Sequence, residues 1–189
     1  MNREKLNATT LDIEFLLISV VQGVALAALG SAASAPLSEV NLEYLPYIIS
    51  GLLFILAFWS QAVIHSISFI SWPLDLNHNF LYILAGLVEV LAFNRITDPL
   101  MWFVYMSLFM VIAGLLYWVD LKIIKDKKQH FEESTARKEL YKHILEEEKK
   151  EFKTLVPIGL LFNLLSVYAL IKFPDLFLRG HYHLFLIKK

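Results

Sequence analysis

Long apolar runs are the feature that most limits how this chain can fold. They cover residues 11–35, 44–71, 99–119 and 154–171, with a shorter run at 80–93. About 20 helical residues cross the hydrocarbon layer of a membrane, and a helix satisfies its own backbone hydrogen bonds there. The chain of 189 residues is 57% hydrophobic, against about 45–50% for a soluble domain. We therefore predict an all-α, polytopic transmembrane helical bundle that is embedded in the lipid bilayer.

The number of spans is predicted to be five or six. Residues 176–187 form a short apolar stretch that contains Arg179, His181 and His183, so they are either a marginal sixth span or an interfacial segment. The chain has no glycine/serine linker and no internal repeat. We expect residues 1–189 to form a single integral membrane domain.

Residues 122–153 differ from the rest because they are dense in charges of both signs and carry only a sparse apolar face. This pattern predicts one amphipathic helix at the membrane surface, between spans four and five. The heaviest lysine cluster begins at Lys122, directly after span four, which places this helix in the cytoplasm. Four spans earlier, the N-terminus is also expected to be cytoplasmic. In a prokaryote the membrane would be the plasma membrane.

Small residues form a stripe along the first span. Ser19, Gly23 and Ala27 recur every four residues and therefore share one helix face, and Gln22 lies beside them. Small residues allow close helix packing in lipid. The stripe is interpreted either as a packing face or as the lining of a pore or oligomer axis.

Two later spans carry polar groups that should avoid lipid. Gln61, His65 and Ser68 recur at i, i+4 and i+7 in the second span, and Glu89 is the one ionisable residue of the third. Because polar groups in lipid are costly, these side chains should face protein or a water-filled cavity. They could fix helix packing or form an ion or proton path, with His65 as a gate. A third interpretation, an intramembrane enzyme acting on lipid, requires His65 and Glu89 to meet.

Other function classes find little support. The chain has no cysteine and a net charge of −1, and it has no basic face interleaved with aromatic residues, so nucleic acid is not an expected partner. Phosphate-binding loops and hydrolase or metalloprotease motifs are absent, so no enzymatic activity and no catalytic residue are predicted. A metal site needs three or four convergent ligands. The sequence does not show that convergence, so neither a metal nor a cofactor is expected.

Several stretches resemble the lysosomal-type potassium channel family. They are YLPYIISGLLFILAFW (residues 44–59) followed by His65, DLNHNFLYILAGL (75–87), MSLFMVIAGLLYWVD (106–120) and TLVPIGLLFNLL (154–165). The phenylalanine-serine-aspartate signature of that family's first helix is absent, and SVVQGVAL stands in its place. Bacterial members are tetramers of a six-helix repeat. The resemblance thus implies a homo-oligomer that conducts potassium.

Together these patterns predict an oligomeric cation channel or an ion-responsive membrane protein. The residues expected along the pore or ion pathway are Ser19, Gln22, Gly23, Ala27, Gln61, His65 and Glu89. The alternative is a non-conducting accessory protein that docks a cytoplasmic partner through residues 122–153.

Overall fold

The computed structural model describes residues 2–70, 73–126 and 135–179, and within these ranges the chain is mainly helical, with short turns between helices and no β-strand. The six α-helices are α1 (Arg3–Ser38), α2 (Leu45–Phe69), α3 (Leu76–Phe93), α4 (Pro99–Asp126), α5 (Thr135–Lys153) and α6 (Leu155–Lys172). A 3₁₀ turn, Leu42–Tyr44, precedes α2, and a π-helical turn, Asp175–Arg179, follows α6.

Five of the described helical stretches are long and apolar enough to cross a bilayer: α1, α2, α3, α4 and the stretch Tyr141–Lys172, which runs from α5 into α6. Their outer faces expose many large apolar side chains, including Leu53, Leu87, Leu115 and Leu164. An outer surface of this kind is typical of helices that contact lipid rather than water. The predicted class of helical membrane protein agrees with these observations.

Local capping explains why two helices begin earlier than predicted. Asn2 caps α1 by accepting a hydrogen bond from the Glu4 amide at 3.3 Å. Asp75 caps α3, and its carboxylate accepts from the amides of Asn77 at 2.9 Å and His78 at 3.1 Å. An aspartate at this position satisfies helix amides that have no partner within the helix. The α3 helix therefore starts at Leu76, four residues before the apolar run at 80–93.

The charged segment is divided differently from the predicted single helix over 122–153. The α4 helix continues through Lys122 to Asp126, and α5 begins at Thr135. Residues 127–134 lie outside the described residues. The predicted sixth span, 176–187, is described only as far as residue 179, and the rest of it also lies outside.

Short connections join α1 to α2, α2 to α3 and α3 to α4, so these four successive helices run antiparallel. The α4 helix is central and packs against α3 and α6, while α1 packs against α2 and α3. Aromatic rings fill the core: Tyr47 meets Trp102 edge-on at 5.4 Å between ring centroids, and Phe58 stacks on Tyr82 at 4.9 Å. One end of the bundle collects the start of α1, the end of α2, the start of α3, the end of α4 and the inner face of α5. We call it the polar end.

Candidate functional site

Four ionisable side chains from four helices meet at the polar end. They are His65 of α2, His78 of α3, Asp120 of α4 and Glu148 of α5, and all four are buried. His78 Nδ1 lies 2.6 Å from Asp120 Oδ1, which is a hydrogen bond. We refer to these four residues as the histidine–acid cluster.

His65 occupies the centre of the cluster without a hydrogen bond. Its Nε2 lies 3.6 Å from Asp120 Oδ1 and its Nδ1 lies 3.8 Å from Glu148 Oε1. These distances exceed those of hydrogen bonds, and both ring nitrogens lack a partner among the described residues although His65 is only 3% exposed. The ring stacks on that of His78, with centroids 5.1 Å apart and planes 15° apart. Two imidazole edges and two carboxylates therefore converge in one small volume.

Local structure explains how each helix delivers its residue. His78 lies in the first turn of α3 because Asp75 begins that helix. His65 lies one turn before the end of α2, and Asp120 lies in the last two turns of α4. On α5, Tyr141 and Glu148 are seven residues apart and both are buried. That spacing is two helical turns, so one face of the charged helix turns toward the bundle.

A second polar contact joins α5 to the bundle next to the cluster. Gln61 Nε2 donates to both carboxylate oxygens of Glu151, at 2.7 and 2.9 Å, and Tyr117 Oη donates to Glu151 Oε2 at 2.7 Å. Gln61 and His65 are one turn apart on α2, and they face Glu151 and Glu148, one turn apart on α5. Gln61 and His65 of the polar stripe therefore face protein, with partners on α3, α4 and α5.

A cavity of about 290 Å³ opens beside the histidine–acid cluster. The four cluster residues, Gln61, Tyr117 and Glu151 line its polar part. Its other walls are apolar and include Phe54, Phe109, Met110 and Leu155. The cavity therefore brings a polar site and an apolar chamber together within the bundle.

A further polar group lies deeper along α3. Gln22 Nε2 donates to Tyr82 Oη at 3.2 Å. Glu89, two turns beyond Tyr82, is completely buried. Gln22 is its polar neighbour, but neither carboxylate oxygen of Glu89 reaches hydrogen-bond geometry with a described residue. Glu14, on the face of α1 that also carries Gln22, is buried as well.

The structure separates the residues that were expected along an ion pathway into three places. Gln61 and His65 lie at the cavity, whereas Gln22 and Glu89 lie in the deeper group and do not line it. The remaining three, Ser19, Gly23 and Ala27, are exposed on the outer face of α1. No described atom outside α1 lies within 4 Å of where a Cβ on Gly23 would be. His65 meets His78 and Asp120 rather than Glu89, which removes the basis of the lipid-enzyme interpretation.

The sequence patterns did not predict His78, Asp120, Glu148, Glu151 or Tyr117 as site residues. Asp75, followed by a polar turn and an apolar run, is a helix-start signal that places His78 inside α3. Asp120 lies at the end of an apolar run, close to Lys122, and so looks like an interfacial charge. Glu148 and Glu151 belong to a segment so rich in charge that its inward face has no distinct sequence signal.

Comparison of the chain with protein-family models, with curated proteins and with solved structures finds no match.

The charge of the buried groups is unbalanced. The buried acidic and histidine side chains of the described residues are Glu14, Glu89, Asp120, Glu148, His65 and His78. In the same part of the chain no lysine or arginine is buried. An ionised carboxylate without a counter-charge in a protein interior costs several kcal/mol. A protonated histidine, a proton on the carboxyl group or a bound cation is therefore needed to balance each of these carboxylates.

Proposed function

We propose that this protein is an integral membrane protein that binds cations within its helical bundle and transports them across the membrane. One observation carries the proposal: buried carboxylates follow the inner faces of the helices beside buried imidazoles, and among the described residues no lysine or arginine is buried to neutralise them. Ionisable residues inside a membrane bundle commonly mark ion pathways. A mobile cation supplies the missing counter-charge.

The proposed path begins at the cavity and continues along α3. His78, Tyr82 and Glu89 succeed one another on the buried face of that helix, at spacings of four and seven residues. Gln22 bridges toward this face from α1 through its bond to Tyr82. A cation that enters at the histidine–acid cluster can thus exchange oxygen and nitrogen partners as it moves toward the middle of the bundle.

The outer face of α1 is the proposed contact between copies of the chain. Ser19, Gly23 and Ala27 present small side chains there, and small residues permit close approach of helices in lipid. The resemblance to a tetrameric channel family supports the same face as an oligomer axis, and it names potassium as a cation to test. A Gly23→Leu change on this face is expected to alter flux.

We place the polar end on the cytoplasmic side. Lys122, Lys125, Lys149, Lys150 and Lys153 lie at this end of the described bundle, and basic residues favour the cytoplasmic face. In this arrangement the N-terminus is cytoplasmic, and α5 is an amphipathic helix whose inner face covers the cluster. Among the described side chains of its outer face, Lys142 pairs with Glu146 within the helix.

The test is cation flux through proteoliposomes that contain the purified protein, with potassium, sodium and protons measured separately. The informative variant is Glu89→Gln, which keeps the size of the side chain and removes its charge. A lost interaction of about 1.4 kcal/mol with the ion lowers a rate about tenfold, and we expect at least that decrease. The matched control is Glu39→Gln, because Glu39 is an exposed carboxylate after the end of α1.

Three results would contradict the proposal: tight vesicles from folded wild-type protein under every ion condition, full flux in Glu89→Gln, or an equal loss in Glu39→Gln. Tight vesicles would favour the accessory hypothesis, in which α5 docks a cytoplasmic partner. Reversal of the exposed charges at Glu146 and Glu147 would then be the next experiment, with partner binding as its measurement.

A further inference from the structure

We propose that the histidine–acid cluster is a binding site for a divalent transition metal of the Zn²⁺ class. His65 Nε2, His78 Nδ1 and a carboxylate oxygen of Asp120 are its ligands, and Glu148 positions His65. This assignment rests on the proposed function in that it names one class of cation for the same site. Binding itself requires no transport, so the two proposals can be tested separately.

The ligand atoms are already gathered. One atom from each of His65, His78 and Asp120 can be chosen so that all three lie within 4.8 Å of one another, and all three residues are buried. In a tetrahedral site with metal–ligand bonds of about 2.0–2.2 Å, neighbouring ligand atoms are about 3.3–3.5 Å apart. The separation of 3.6 Å between His65 Nε2 and Asp120 Oδ1 is close to that value. The separation of 2.6 Å between His78 Nδ1 and Asp120 Oδ1 is a hydrogen bond that a metal would replace.

His65 supplies independent support, because both of its ring nitrogens lack hydrogen-bond partners among the described residues at 3% exposure. Burial of an unpartnered polar group is unfavourable. A metal on Nε2 satisfies one side of the ring. Glu148 then accepts a hydrogen bond from Nδ1–H after closing by less than 1 Å from the present separation of 3.8 Å. Histidines that bind metals commonly donate their second ring nitrogen to a carboxylate in this way.

The composition of the cluster selects the class of metal. Two imidazoles with one carboxylate suit zinc and neighbouring transition metals, whereas calcium and magnesium prefer ligand sets made of oxygen alone. Three protein ligands leave a fourth tetrahedral position. The cavity of about 290 Å³ adjoins the cluster, so a water molecule or another ligand can fill that position.

The experiment is Zn²⁺ binding to the purified full-length protein in detergent. Protein purified without a histidine tag is stripped with a chelator and dialysed against Zn²⁺, and bound metal per chain is then measured by mass spectrometry, with affinity from a competing dye. We expect one Zn²⁺ per wild-type chain. His78→Ala and Asp120→Asn should each weaken affinity about 100-fold or more. Glu148→Gln should weaken it about 10- to 100-fold, as expected for a group that orients a ligand.

Matched controls come from α5 and α4, the helices that carry Glu148 and Asp120. His143→Ala changes an exposed histidine on α5, and Asp126→Asn changes an exposed carboxylate on α4; both should bind as the wild type does. A third control, His181→Ala/His183→Ala, tests histidines outside the described residues. Helical circular dichroism and gel filtration show whether each variant is folded.

The visible spectrum of bound Co²⁺ distinguishes a residue that binds the metal from one that only stabilises the fold. Co²⁺ bound by the wild type should give the intense visible bands of a tetrahedral site. Glu148→Gln should keep the shape of these bands at lower affinity because the ligands are unchanged, whereas His78→Ala should change their shape.

Folded wild-type protein that binds no stoichiometric Zn²⁺ would overturn the proposal, as would full affinity in both His78→Ala and Asp120→Asn. Zinc binding by protein that passes no cation would support the site and contradict the proposed transport. Cation flux without zinc binding would support the proposed transport and contradict the metal site.

Discussion

Glu151 connects the charged helix α5 to two helices of the bundle, and its removal should release α5 locally. Its carboxylate accepts hydrogen bonds from the Gln61 amide at 2.7 and 2.9 Å and from the Tyr117 hydroxyl at 2.7 Å. Two donor groups thus depend on one acceptor. A hydrogen bond to a charged group contributes about 1.5–3 kcal/mol. All three residues are only half-buried, so we take about 1–1.5 kcal/mol for each donor group, at or just below the lower end of that range.

Glu151→Ala should therefore lower the free energy of α5 undocking by about 2–3 kcal/mol, because each lost bond contributes at most about 1.5 kcal/mol. Each 1.4 kcal/mol is a factor of ten in an equilibrium constant. Hydrogen–deuterium exchange of the α5 amides should accordingly be about 30- to 150-fold faster, under conditions where exchange reports the opening equilibrium. Tyr117→Phe removes one of the two donors and should accelerate exchange about tenfold.

The control for this prediction is Glu147→Ala. The Glu147 side chain is exposed, and its contact is with Lys150 of the same helix at 3.4 Å. Exposed pairs of this kind contribute about 0–1 kcal/mol, so exchange should change by about twofold at most. Wild-type exchange rates along α5 in folded Glu151→Ala would refute the reasoning, and α5 would then be held mainly by its apolar contacts.

Two further predictions concern the contact between α1 and α3 at Gly86 and the backbone conformation of Val40. A Cβ added at Gly86 would overlap Cγ1 of Val21, so Gly86→Ala should destabilise the bundle by about 1–3 kcal/mol and lower its unfolding temperature in detergent. The control is Gly30→Ala, whose added Cβ meets no atom within 4 Å. It should leave the unfolding temperature of the single chain unchanged. An unchanged unfolding temperature of Gly86→Ala would show that α1 and α3 are further apart than the contact between Gly86 and Val21 implies. Val40 has a φ of 54°, which is unfavourable for a β-branched residue. Val40→Gly should therefore stabilise the chain by about 1 kcal/mol in the same assay. A lower unfolding temperature of this variant would contradict that expectation.

The sequence by itself determined the class of the fold and the fact that its polar groups face the inside of the bundle rather than lipid. Apolar runs of membrane-spanning length form helices, because a helix pairs its own backbone groups in lipid. The spacing of Gln61 and His65 placed them on one face of α2, and the cost of polar groups in lipid required that face to look inward. Helical periodicity fixes which residues share a face, and it needs no knowledge of the neighbouring helices.

The tertiary structure alone decided which partners those groups meet. Glu148 follows His65 by 83 positions (148 − 65), and the order of residues along a chain does not state which helices lie side by side. Glu89 was a plausible partner for His65, yet helix packing brought His78 and Asp120 instead. The same packing turned Glu148 and Glu151 of a highly charged helix inward, because the groups that face them, His65, Gln61 and Tyr117, come from two other helices.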